Sequence, residues 1–112
     1  MNSDIPILDS AYLQSLYEAL GEEIQSIADD FFEGVDGAYL SWPALAENPA
    51  AFAAEAHRLK GASSMLGLQR FSKQTAIWEA QAKSNVVCQV DTNAVKACIE
   101  ESKVAIRDFL NQ

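Results

Sequence analysis

Residues Ala53 to Gly67 read AAEAHRLKGASSMLG and hold the only histidine of the chain, His57. Phe52, Ala56, Leu59, Ser63 and Leu66 step by three or four, so they share one face of a helix. His57 lies about 100° round from Ala56, beside that face rather than in its middle. Lys60 and Gly61 follow one turn later on the same side as His57, and Ser64 continues the line. A glycine inside a helix costs about 1 kcal/mol against alanine. Here it removes a side chain next to the histidine and leaves the imidazole reachable, while Lys60 sets a cation beside the ring. That arrangement suits a group that receives and hands on a phosphoryl.

Upstream, Asn48-Pro49 is a helix start, a capping side chain followed by proline at the first helical position. Downstream, Gly67 fits the left-handed residue that ends helices. A further helix is predicted over about Leu68 to Lys83, burying Phe71, Thr75, Trp78 and Ala82. Ser84 to Val90 reads as a loop; its valines could extend but lack a partner strand. Asp91 or Thr92 caps the last helix, whose apolar face is Val95, Ile99, Ser102, Ile106 and Phe109.

Toward the N-terminus, residues 1–8 form an arm, and Asp9 caps a short helix carrying Leu13, Leu16 and Leu20 up to Gly21. The next helix starts near Glu22 and presents Ile24, Ile27, Ala28, Phe31, Phe32 and Val35. Gly34, Gly37 and Pro43 predict that it weakens or bends before a final turn to Glu47. Trp42 suits either the core or an exposed contact. No segment shows sustained alternation. The expected fold is all-α, an up-and-down four-helix bundle with a short additional N-terminal helix that lids one end, in one domain over residues 1–112.

His57-Arg58-Leu59-Lys60-Gly61-Ala62-Ser63-Ser64 with Leu66-Gly67 resembles the active helix of histidine phosphotransfer (HPt) domains. Phe71, the small Thr75 and the Trp78-Glu79 pair extend the match. The resemblance implies the same bundle fold, with His57 as phosphoacceptor. It also implies that Glu79 faces the helix of His57 near the imidazole and orients its other nitrogen. The implied partners are response-regulator receiver domains with a phosphorylatable aspartate and, upstream, a sensor or hybrid histidine kinase. No cofactor is expected on this chain; magnesium is expected on the partner receiver domain.

The chemistry of the residues is compatible with that role. A neutral imidazole is a nucleophile near neutral pH, its ordinary pKa being about 6.5. Phosphoryl transfer needs in-line geometry and charge neutralisation, and no phosphate-cradling glycine loop or ATP-binding segment is present. The chain is therefore expected to be a phosphocarrier rather than an enzyme. Lys60 is assigned phosphate stabilisation, and Gly61 access in preference to packing. Ser64 either bonds a phosphoryl or imidazole or clears space. Arg58 is a docking or surface charge, and Glu79 and Lys83 could form an ion pair one turn apart. Ala53, Ala54, Gly61 and Ser64, with Arg58 and Lys60, are the expected docking surface.

The 112 residues carry a net charge of −8, which argues against nucleic acid and anionic membranes as partners. MNSDIPILDS has no basic n-region, and no stretch nears the roughly 20 apolar residues of a membrane span. Cys88 and Cys98 are not spaced as a redox or zinc pair and read as free thiols of the cytoplasm. Asp29-Asp30 reads as a solvated face rather than a metal site. A monomer is expected, and the terminal positions favour a separate protein over a fragment of a hybrid kinase. The competing functional readings are a helical adaptor that binds a signalling partner without phosphate chemistry, and a phosphohistidine enzyme or metal protein.

Overall fold

In the computed structural model, which describes residues Met1–Gln112, six helices follow one another. They are α1 (Ser10–Leu20), α2 (Glu23–Ala38), α3 (the single turn Trp42–Leu45), α4 (Pro49–Met65), α5 (Gln69–Lys83) and α6 (Thr92–Leu110). Side chains cap three of the starts: Asp9 accepts the Tyr12 N–H, Asn48 the Ala51 N–H, and Asp91 the N–H groups of Asn93 and Ala94. Each satisfies backbone donors that a helix start leaves free. Gly21 and Gly67 end α1 and the α4 turn with φ of 59° and 67°, a backbone region that favours glycine.

α2, α4, α5 and α6 form the up-and-down bundle, with α4 and α5 its most intimately packed pair. The core is strongly aromatic. Trp78 packs edge-on to Trp42 at 6.0 Å and tilted against Phe52 at 5.7 Å, while Phe71 meets Phe31 at 5.8 Å. Trp42 is therefore core, and its Nε1 donates to Glu55 at 3.3 Å. These rings form a rigid bed under α4, whose inward residues Phe52, Ala56, Leu59 and Ser63 are all fully buried.

α1 lies across the α4–α5 turn. The Asp9 N–H donates to the Gly67 carbonyl at 2.9 Å, and the Tyr12 hydroxyl donates to the Met65 carbonyl at 2.8 Å. A Cβ on Gly67 would stand 2.9 Å from Leu13 Cγ, so this turn needs glycine for space as well as for φ.

The expected weakening between Gly34 and Pro43 falls at Tyr39–Ser41, a 3₁₀ turn followed by the single turn α3; the two glycines themselves lie inside α2, which runs unbroken to Ala38. Val35 and the half-buried Ala38 keep its inner face packed, and tertiary burial overrides the propensity cost of two exposed glycines. Pro43 sits in the first turn of α3, where its missing N–H is not needed.

The N-terminal arm is anchored on the far side of α5. Arg70 donates from Nε to the Ile5 carbonyl at 2.7 Å and from one terminal nitrogen to the Ser3 carbonyl at 3.2 Å. Its other terminal nitrogen donates to Glu101 on α6 at 2.9 Å.

Candidate functional site

The α4 periodicity that buries Leu59 and Ser63 turns His57, Gly61 and Ser64 outward and leaves Lys60 half-buried at the α5 boundary. On α5, Glu79 projects from beside the core stripe toward α4. Its side chain is only 5 % exposed, whereas His57, Lys83 and Lys60 are 69 %, 64 % and 39 % exposed. All three meet that one carboxylate. His57 Nδ1 lies 2.7 Å from Oε2, Lys83 Nζ 3.0 Å from the same oxygen, and Lys60 Nζ 2.5 Å from Oε1.

The Lys60 ammonium, then that of Lys83, hold the Glu79 carboxyl far below the usual carboxylate range, at about 2; burial opposes them, and the His57 hydrogen bond adds to their effect. An ionised carboxylate can only accept hydrogen bonds. Nδ1 must therefore carry the ring proton, and in the neutral imidazole the Nε2 lone pair is left unprotonated. The backing carboxylate fixes the tautomer and the ring plane, as an aspartate does behind the histidine of a serine protease.

Gly61 is exposed, and a Cβ built on it would meet nothing within 4 Å. No packing within the chain requires glycine there. Arg58 is exposed and held by Glu55, 2.7 Å from its Nε, which raises the guanidinium pKa further. Ser64 is exposed, but seven residues of helix place it about 10 Å along the axis from His57. It lines a separate polar cleft with Asp9, Tyr12, Gln69 and Lys73.

Of the expected docking set, Ala54, Arg58, Gly61 and Ser64 are at the surface and Lys60 is partly so. Ala53 is corrected: it is 8 % exposed and belongs to the core, because it falls one position round toward Phe52 and Ala56. The sequence reading missed an apolar groove of about 270 Å³ beside this face, lined by Ile27, Phe31 and Val35 of α2 and Ala62 and Met65 of α4. The signal was the exposed Met65 on an otherwise small-residue helix face. No group of three His, Cys, Asp or Glu side chains gathers as metal ligands. No helix is long and apolar enough to cross a membrane.

The pattern around His57 has a counterpart among known families: the Hpt domain family model matches residues 11–105, nearly the whole bundle. The chain belongs to the Hpt domain family. No curated protein and no solved structure matches it. Hpt domains are phosphocarriers rather than catalysts, and they act in two-component signalling with receiver domains and histidine kinases. A phosphotransfer-type role follows for this Hpt domain.

Proposed function

We infer that this Hpt domain is a phosphorelay intermediate. His57 accepts a phosphoryl group from the aspartyl phosphate of one receiver domain and passes it to the aspartate of another response regulator. The observation that carries this reading is the pairing of an exposed imidazole with a buried, ionised Glu79 at its Nδ1.

In the accepting step the Nε2 lone pair attacks phosphorus, the aspartyl O–P bond breaks, and its electron pair returns to the carboxylate. The ring gains positive charge, and Glu79 stabilises it through the retained Nδ1–H. In the donating step the ring leaves as neutral imidazole with that same proton, so no proton has to be moved. Lys60 neutralises phosphoryl charge, Gly61 keeps the approach clear, and Ala54, Arg58 and the apolar groove receive the partner domain. Magnesium and the reacting aspartate belong to the receiver. The two buried free thiols suit a reducing compartment such as the cytoplasm.

The test is incubation with a receiver domain carrying radiolabelled aspartyl phosphate. Label on this chain should be acid-labile, base-stable and absent from His57→Ala. A chain that binds the receiver but takes no label would be an adaptor instead.

A further inference from the structure

Two lysines converge on one carboxylate at this site, although one would neutralise it. Glu79 bears one negative charge, and Lys60 and Lys83 leave its neighbourhood one positive charge in excess, within a chain whose net charge is −8. The two cations are not equivalent. Lys60 comes from the helix of His57, one turn on, and binds Oε1 alone. Lys83 comes from the helix of Glu79, one turn on, and binds Oε2, the oxygen that also holds His57 Nδ1. Lys60 can therefore leave Glu79 without touching the bond that orients the imidazole.

Resting on the phosphorelay reading, we propose that Lys83 is a positioning residue of the phosphotransfer site. It is the resident counter-ion of Glu79, and its presence releases Lys60 to the phosphoryl group. A phosphoryl brings a charge near −2. Lys60 must turn to it as it arrives, while the ring is still neutral and gives Glu79 no positive charge, so the buried carboxylate it abandons needs another cation at that moment; a buried charge left unpaired is strongly disfavoured. Without Lys83, Lys60 stays on Glu79 and the phosphoryl loses its neutralising partner. Lys83 thus acts on phosphate through Lys60, without touching it.

The dependence makes the two lysines non-additive. The donor of choice is phosphoramidate, a small molecule that removes partner docking from the measurement. Nε2 forms its bond to phosphorus as the donor P–N bond breaks, ammonia leaves with the electron pair, and the Nδ1 proton remains with the ring. ³¹P NMR reads the initial rate of phosphohistidine formation at fixed donor, and circular dichroism reads the fold.

Lys83→Met should lower that rate about three- to fivefold, the upper range for one solvent-exposed ion pair. Lys83→Arg should restore it. In a Lys60→Met background the further change Lys83→Met should have little effect on the rate. A Lys83→Met effect of equal size in both backgrounds, or none in either with the fold intact, overturns the proposal while leaving the relay reading in place. Absence of phosphohistidine on the unaltered protein, from phosphoramidate and from phosphorylated receivers alike, overturns the relay reading and this proposal with it.

Discussion

Two of the charged side chains of α5, Arg70 and Glu79, each hold three partners. They stand nine residues apart, which puts them on opposite sides of the helix. Arg70 binds two main-chain carbonyls of the N-terminal arm and Glu101. Glu79 binds three side chains, all with one end open to solvent. The count of bonds is the same, but the freedom to exchange them is not. A main-chain carbonyl is released only if the arm lifts away, whereas a lysine can swing to a new anion without disturbing the fold. Arg70 is a fastener; Glu79 is the fixed centre of a set of movable partners. What separates them is the kind of partner, main chain at Arg70 and solvent-exposed side chains at Glu79.

The sharpest way to break this comparison is to remove each centre in turn. Glu79→Ala leaves the imidazole without its Nδ1 acceptor and should slow phosphotransfer about ten- to a hundredfold, as removal of the group behind a working histidine does elsewhere. Circular dichroism should show the bundle retained. Arg70→Met should do the reverse. It should cost about 2 kcal/mol in urea unfolding, since hydrogen bonds to a charged group contribute about 1.5–3 kcal/mol, and leave transfer from a phosphorylated receiver unchanged. If Arg70→Met slowed transfer as much as Glu79→Ala, the division between fastener and working centre would be wrong.

Acid sharpens the comparison further. The Glu79 carboxyl titrates at about 2 in the folded chain, below its ordinary value of 4.5. Its contribution to stability is fully present above about pH 4.5 and is lost as pH falls through about 2. The stability gap between the wild type and Glu79→Gln should therefore be constant above pH 5 and close between pH 4.5 and 2. Urea unfolding across that range checks it; a gap that stays constant to pH 2 would mean that the lysines do not hold the carboxylate charged.

The two regions also differ in how far they could be read from sequence. The helix of His57 was legible because its pattern is local: caps, a three-to-four residue stripe, and small residues within two turns of the histidine. Glu79 was reachable only through the family resemblance, since nothing in periodicity says that a glutamate beside a core tryptophan faces a neighbouring helix. The sharing of Glu79 Oε2 by Lys83 and His57 was hidden for the same reason, although Lys83 itself stood at the right spacing. The anchoring of the arm was invisible. Arg70 reaches partners 65 and 67 residues away in sequence, and they are main-chain carbonyls that carry no side-chain signature. Gly34, Gly37 and Pro43 located the weakening only to a span, and it falls at Tyr39–Ser41 rather than at either glycine, because propensity is a weak guide where one helix face is well buried.

The smallest expected effect separates access from packing at Gly61. Beyond the adjacent residues and the helix's own backbone, nothing waits within 4 Å of a Cβ there, so Gly61→Ala should relieve the helix penalty of glycine and raise stability by about 1 kcal/mol. The added methyl lies beside the imidazole, on the path of an approaching domain rather than against the bundle. Transfer from a phosphorylated receiver should fall slightly while phosphorylation by phosphoramidate stays the same, because the small donor needs less room. Lengthening the side chain to leucine should deepen the loss with the receiver and keep most of the gain in stability, leucine being nearly as good a helix former as alanine. The informative quantity is the ratio of the two donors. If receiver and phosphoramidate slow together, the substitution has disturbed the imidazole itself, and the bare backbone at Gly61 serves the ring's position instead of the partner's approach.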